Sequence, residues 1–283
     1  MALRIFTNLS SLNAQKSLES SRLKLGGSIS RIASGQRITN SSDDGAGLSI
    51  SERLNSDVRT LKQGARNVND GLALVNAAEG ALGEQSSILI RLRELASQAA
   101  TGTIGQTERE TLNLEFRALR SELDRIANTT EFNGRKLVDG SLAAGNPSEL
   151  ILQVGLDSND ASRFNLNQEI DLTAVTAASL GIDDDSISSG AAALTALGAL
   201  SNAIDSLIEV RGRVGAVTNR LSHSLNNLNS SIENLTSAVS TIRDADLADE
   251  VAQLTRNQIL VQAGSAMIGQ ANLIPQSVLT LLQ

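Results

Sequence analysis

The sequence contains no cysteine, no tryptophan and no tyrosine, and only one histidine. Without cysteine there can be no disulfide, thiolate metal site or cysteine nucleophile. A chain of 283 residues can do without disulfides if another source of stability, such as oligomerisation, replaces them. The aromatic residues are Phe6, Phe116, Phe132 and Phe164. Sites for sugars, bases or cofactors lean on aromatic surface, so no cofactor or small-molecule site is expected. The lone His223 falls between the helical seam positions Leu221 and Leu225 and reads as a surface residue.

Basic charge is also in short supply. The net charge is −7, which argues against a nucleic-acid partner. The balance is uneven: residues 1–37 carry Arg4, Lys16, Arg22, Lys24, Arg31 and Arg37 against Glu19 alone. A basic, amphipathic start resembles an organelle transit peptide, but this segment has a counterpart at the other end of the chain. Residues 1–30 lack the continuous apolar run of a secretory signal. No stretch reads as a membrane span, so membrane insertion is not expected.

What the sequence does have is heptad spacing. Stepping by four and three from Leu200 through Ile204, Leu207, Arg211, Val214, Thr218 and Leu221 to Ile242 meets apolar residues at 11 of 13 positions. The same stepping from Leu54 through Val58, Leu61, Ala65, Val68, Leu72, Val75, Glu79 and Leu82 to Ala96 meets them at ten of 13. Such a long register predicts coiled-coil helices, each roughly 65 Å long at ~1.5 Å per residue. A third, shorter helix is expected from Thr107, which forms a capping-box pattern with Glu110, and it continues through Leu112, Phe116, Leu119, Leu123 and Ile126. The turn Thr101–Gly105 should fold it back antiparallel. Gly64, Gly71, Gly80, Gly83, Gly212 and Gly215 interrupt the long helices, at a cost of ~1 kcal/mol each against alanine; close backbone approach in a bundle is one reason to keep them.

Residues 129–190 read differently. Phe132-Asn133-Gly134 is a turn signal, and Leu150–Val154 and Phe164–Leu166 look like short strands. The fold class is therefore mainly α: a long antiparallel coiled-coil bundle with a small β-hairpin region at the tip and the N- and C-terminal helices paired. The expected segments are 1–43, a terminal helix; 44–128, two bundle helices; 129–190, the β region and loop; 191–243, a long helix; and 244–283, the last helix, kinked or broken at Pro275.

The two ends form the candidate assembly site. Leu9, Leu12, Leu18, Leu25, Ile29 and Ile32 recur at helical spacing, and Leu260, Gly264, Met267, Ala271, Ile274, Val278 and Leu281 step by four and three. From Asn257 to Gln283 there is no charged residue. A solvated helix normally carries charges, and Gln258, Gln262, Gln270, Asn272 and Gln276 argue against lipid. Cover by other copies of the chain is the remaining choice. The acidic groups Asp43-Asp44 and Asp244, Asp246, Asp249 and Glu250 sit where long helices begin or bend, so capping and inter-subunit pairing are expected rather than catalysis. Asp183-Asp184-Asp185 lacks the calcium-loop spacing and reads as a solvated loop. No metal site and no enzyme activity are expected.

Several motifs, in order, resemble those of bacterial flagellins: Asn8–Ala14; Ser34-Gly35-Gln36-Arg37-Ile38 through Asp43-Asp44-Gly45-Ala46-Gly47; Phe132-Asn133-Gly134; Ile242-Arg243-Asp244-Ala245-Asp246; and Gln258–Gly264 with Pro275–Leu279. The resemblance implies a secreted, self-assembling subunit of the extracellular flagellar filament, in a minimal form without a variable outer domain. It also implies export, unfolded, by the flagellar type III apparatus, an export chaperone, and filament cap and hook-junction proteins as partners. A hook–filament junction protein is the alternative, but that family typically has proline where Gly45 stands; a type III coiled-coil secretion adaptor would not need the uncharged end. Some flagellins carry a His-Glu-x-x-His protease site, which one histidine cannot make. Arg91–Gln98 resembles the family's recognition motif for a Toll-like innate immune receptor, with Arg91, Leu95 and Glu115 as implied contacts.

Overall fold

A computed structural model of the chain describes residues 8–281, with side chains to residue 273. Six helices occur in the order α1 (Leu9–Ser34), α2 (Gly45–Ala100), α3 (Gln106–Thr129), α4 (Leu166–Ile170), α5 (Gly190–Arg243) and α6 (Leu247–Leu281). Two antiparallel hairpins lie between α3 and α5: β1 (Glu131–Phe132) with β2 (Arg135–Lys136), and β3 (Ile151–Gln153) with β4 (Arg163–Asn165). The residues form two compact units, 57–233 and 1–56 with 234–283.

In unit 57–233 every seventh residue of α2 from Leu61 to Ala96 is buried, and so is every seventh from Gly64 to Ala99. The seam therefore steps by three and four. One half is as the sequence predicts; the other lies one residue earlier, at Ala78, Gln85 and Leu92 rather than Glu79, Ser86 and Arg93. α5 repeats the pattern, burying Leu200, Leu207, Val214 and Leu221 with Ala203, Val210 and Val217. Two of the polar residues of the expected seam, Glu79 and Arg211, meet beside it, where Arg211 donates to Glu79 at 2.7 Å. α5 also contains an 18-residue window of mean hydropathy 1.4, long and apolar enough to cross a membrane, contrary to the sequence expectation. Of that window 28% is buried in the unit.

α3 runs back antiparallel to α2. Arg109 Nε donates to the Ala99 carbonyl at 2.8 Å, and Gln85 Nε2 to the Leu123 carbonyl at 3.3 Å. The expected capping box is not formed: α3 begins at Gln106, its N-cap is Gly105 without a side-chain cap, and Thr107 lies inside the helix. Asn133 and Gly134 both have positive φ, 50° and 75°, the geometry of a type I′ hairpin turn.

The β3–β4 hairpin lies against the middle of α2 rather than beyond a helix end. A Cβ on Gly64 would stand 2.5 Å from the Val154 carbonyl oxygen, and one on Gly71 2.3 Å from Leu152 Cδ1. Those glycines admit a hairpin, not another helix. Gly80, Gly83, Gly212 and Gly215 have no such neighbour. Residues 171–189 are packed: Leu172, Val175, Ala177, Ile182 and Ile187 are buried. Asp124 accepts from Ala177 N, Asn113 from Ile187 N, and Arg120 donates to the carbonyls of Ile182, Asp183 and Asp185. The acidic loop is thus held by an arginine, and burial pushes the Asp185 carboxyl up from its usual range.

Candidate assembly surface

The other unit is built on the pairing of α1 with α6. Asn8 caps α1 by accepting from Ser11 N at 3.1 Å, and its amide donates to the Ala271 carbonyl at 2.8 Å. Arg31 donates to Glu250 at 2.7 Å. Beyond them Ala245 N donates to Gly35 O and Arg37 N to Arg243 O. Rising residue numbers on one helix meet falling numbers on the other, so the pair is antiparallel. Gly35 ends α1 at φ 68°, a left-handed cap that favours glycine. Gly264 sits against Leu18, whose Cδ1 would be 3.3 Å from an added Cβ, so glycine lets the helices close together there.

The acidic groups at the helix joints do local work. Asp44 accepts from Gly47 N, opening α2, and Asp246 accepts from Ala248 N and Asp249 N, opening α6. Asp43 accepts from Asn40 N and from Thr39 N and Oγ1, which holds its carboxyl below the usual range. Glu250 pairs inside the chain; the Arg31 guanidinium that donates to it holds its carboxyl low. Arg243 is shared between a backbone bond to Arg37 and an ion pair with Glu52 at 2.6 Å.

The packing of this pair is inverted. Its buried residues are Ser11, Ser28, Glu250, Asn257 and Ala271. Leu18, Leu25 and Ile32 are half-buried. Leu9, Leu12, Ile29, Leu260 and Met267 point outward, and Met267 is 62% exposed. Leu23, Leu247, Val251, Ile259 and Leu273 are also exposed, and sequence periodicity alone did not single them out. For the four on α6 the signal was apolar residues spread around the helix; Leu23, on α1, had none. Ile274, Val278 and Leu281 lie outside the described side chains, while the helix itself is continuous through Pro275 without the expected break. These exposed apolar side chains make the pair a candidate association surface.

The residues of the receptor-like motif lie on α2 and α3. Arg91 donates to Glu115 at 2.8 Å and to Glu94 at 3.0 Å, all three exposed. Glu115 holds the Arg91 guanidinium above its ordinary value. Leu95 is fully buried in the seam. His223 is exposed on α5.

Two family profiles match the chain: the bacterial flagellin N-terminal helical region over residues 5–143 and the bacterial flagellin C-terminal helical region over residues 197–282. The chain is 40% identical to a flagellin of Halalkalibacterium halodurans over 98% of both chains. It is 38% identical to a flagellin of Bacillus subtilis over 99% of this chain and 100% of the other. It is also similar to the crystal structure of Bacillus cereus flagellin, at 32% identity and a TM-score of 0.49, covering 62% of this chain and 94% of that one.

Proposed function

The chain belongs to the bacterial flagellin family and is a structural subunit of the extracellular flagellar filament; within that role we propose that α1 and α6 are the surface through which copies polymerise. The observation that carries the proposal is the inverted packing, with polar and small residues inside the pair and leucines, isoleucines and methionine outside. Covering one such side chain contributes roughly 1–2 kcal/mol. Ten together are of the same order as the ~4–15 kcal/mol that association costs in lost freedom. One neighbour therefore holds weakly, and several neighbours in a helical array hold firmly.

The role is structural, and no catalytic activity is ascribed to the chain. The relatives named flagellin match over nearly its full length, which favours the filament over the junction-protein and secretion-adaptor readings. Only residues 171–189 separate α4 from α5, in keeping with a form that has no outer domain.

The further partners of the proposal are those that the family resemblance implies. An export chaperone covers the apolar rows of α6 before assembly, and cap and hook-junction proteins meet them at the filament ends. The exposed Arg91–Glu115 pair is the contact for a Toll-like receptor, while buried Leu95 supports the helix beneath it. Replacing Arg91 and Glu115 together should abolish receptor signalling by monomers, and undiminished signalling would remove this assignment. Polymerisation is tested by seeding: the full chain should extend filament fragments, and a chain ending before Asn257 should stay a helical monomer. Growth by the shortened chain would overturn the terminal-helix mechanism.

A further inference from the structure

We propose that Asn133 is a site of spontaneous covalent modification, where the side-chain amide is lost to water at a rate set by opening of the β1–β2 hairpin. Asn133-Gly134 is the one Asn-Gly pair of the sequence. Both residues are exposed, and a Cβ on Gly134 would meet nothing within 4 Å. Among the described residues neither the Asn133 side chain nor the Gly134 N–H has a hydrogen-bond partner. The nucleophile and the electrophile of an amide-loss reaction are therefore adjacent, solvated and uncommitted. Asn40 and Asn159 also stand exposed in connections, but the Asn40 amide donates to Thr39 and the Asn159 side chain accepts from Ser162 N. Asparagines inside helices are followed by N–H groups bonded along the helix.

In the reaction hydroxide takes the Gly134 amide proton and the nitrogen attacks Cγ of Asn133. The N–Cγ bond forms, the Cγ–Nδ2 bond breaks, and Nδ2 leaves as ammonia with a proton from water. The five-membered imide then adds water. Addition at Cγ gives aspartate; addition at the main-chain carbonyl gives isoaspartate, whose backbone runs through Cβ. Nothing is oxidised or reduced. The Arg135 guanidinium, anchored by donation to the Ser148 carbonyl at 3.0 Å, favours the anionic nitrogen beside it. The native turn holds the reaction back. Asn133 has φ 50°, and at the ψ of about +47° that goes with this region the Gly134 nitrogen stands nearly opposite Cβ across the Cα–C bond. Ring closure needs the two on the same side. β1 and β2 are only two residues each, and so short a hairpin is marginal and opens locally. Asn133 lines a crevice of about 160 Å³ with Asp70, Gly71 and Leu74 of α2 and Phe132. Either product sets a carboxylate there with Asp70, and isoaspartate also lengthens the main chain of a two-residue turn. Modification thus loosens the hairpin from α2.

The test needs only the native full-length chain, aged in mildly alkaline water labelled with heavy oxygen and mapped as peptides by mass spectrometry. Label should enter at residue 133 at least about tenfold faster than at Asn40 or Asn159, a gap equivalent to about 1.36 kcal/mol of barrier. In urea that unfolds the chain, the rate at Asn133 should rise at least about tenfold, because ring closure no longer waits for the hairpin to open. Aged chain enriched in isoaspartate should exchange the amide hydrogens of residues 131–136 faster than fresh chain. Equal labelling of the three asparagines overturns the site. A rate at Asn133 that urea leaves unchanged overturns control by the hairpin, and unchanged exchange in the aged chain overturns the loosening.

Discussion

Arg31 of α1 donates to Glu250 of α6 at 2.7 Å across 219 positions of sequence, and Glu250 is buried where it accepts. It is a charged bond between α1 and α6, beside the Arg243–Glu52 ion pair. Its buried neighbours along the pair are serine, asparagine and alanine, and the leucines and isoleucine beside them, Leu18, Leu25 and Ile32, are only half-buried.

The pair predicts acid lability. The Glu250 carboxyl titrates below its ordinary value because Arg31 donates to it. A depressed folded-state pKa gives stability that is complete above the unfolded value, about 4.3 for glutamate, and is lost as pH falls through the lower folded value. Helix content followed by circular dichroism should therefore drop in that window. Glu250→Gln should cost about 1 kcal/mol at neutral pH and make the acid transition shallower. An unchanged transition would remove Glu250 as its cause.

The glycines of α2 and α5 separate into two classes. Gly64→Ala should destabilise the chain, because the Val154 backbone carbonyl cannot retreat as a side chain can. Gly71→Ala should cost less, since its obstacle is the end of Leu152. Gly80→Ala and Gly215→Ala meet nothing within 4 Å and should stabilise by up to ~1 kcal/mol. Urea midpoints of the four variants measure this, and a common sign for all of them would contradict the structure.

Asn167 is fully buried and ties three segments together. It accepts from Leu150 N at 2.8 Å and donates to the carbonyls of Ser141 and Ala143 at 3.0 and 3.3 Å. Asn167→Leu leaves those backbone groups without it, at about 1–3 kcal/mol for each buried group that finds no water. Hydrogen exchange should show the loss in residues 139–172 first. Protection there equal to the native chain would show that the network is dispensable.

Met267→Lys places a charge on the outward row of α6. It should leave the helix content of the monomer unchanged and lower seeded growth by about tenfold or more, since a buried charge without a partner is costly. Growth at the native rate would exclude Met267 from the subunit contact.

Much of this was legible in the residues. The helices, the Asn133-Gly134 turn and the pairing of the ends follow from periodicity and turn chemistry. Half of each seam was not legible: Leu61 and Leu200 repeat correctly, but their companions are Gly64 and Ala203, not Ala65 and Ile204. A helix packed against several partners buries a stripe wider than a two-stranded seam, and periodicity cannot say which side of the stripe is deeper. Thr107 looked like a cap because capping patterns are local, whereas the first turn of α3 was settled by Gly105 and the turn before it.

The sequence by itself determined that this chain is helical, paired at its ends and incomplete alone, because apolar spacing and a charge-free terminus constrain any fold it can adopt. Only the tertiary structure decided which residues face outward. Leu18 and Leu9 share one helix and one spacing, yet Leu18 is half-buried against Gly264 and Leu9 is exposed. The difference is the antiparallel register set by Asn8 with Ala271 and Arg31 with Glu250. Those contacts join residues more than two hundred positions apart, beyond the reach of any local pattern.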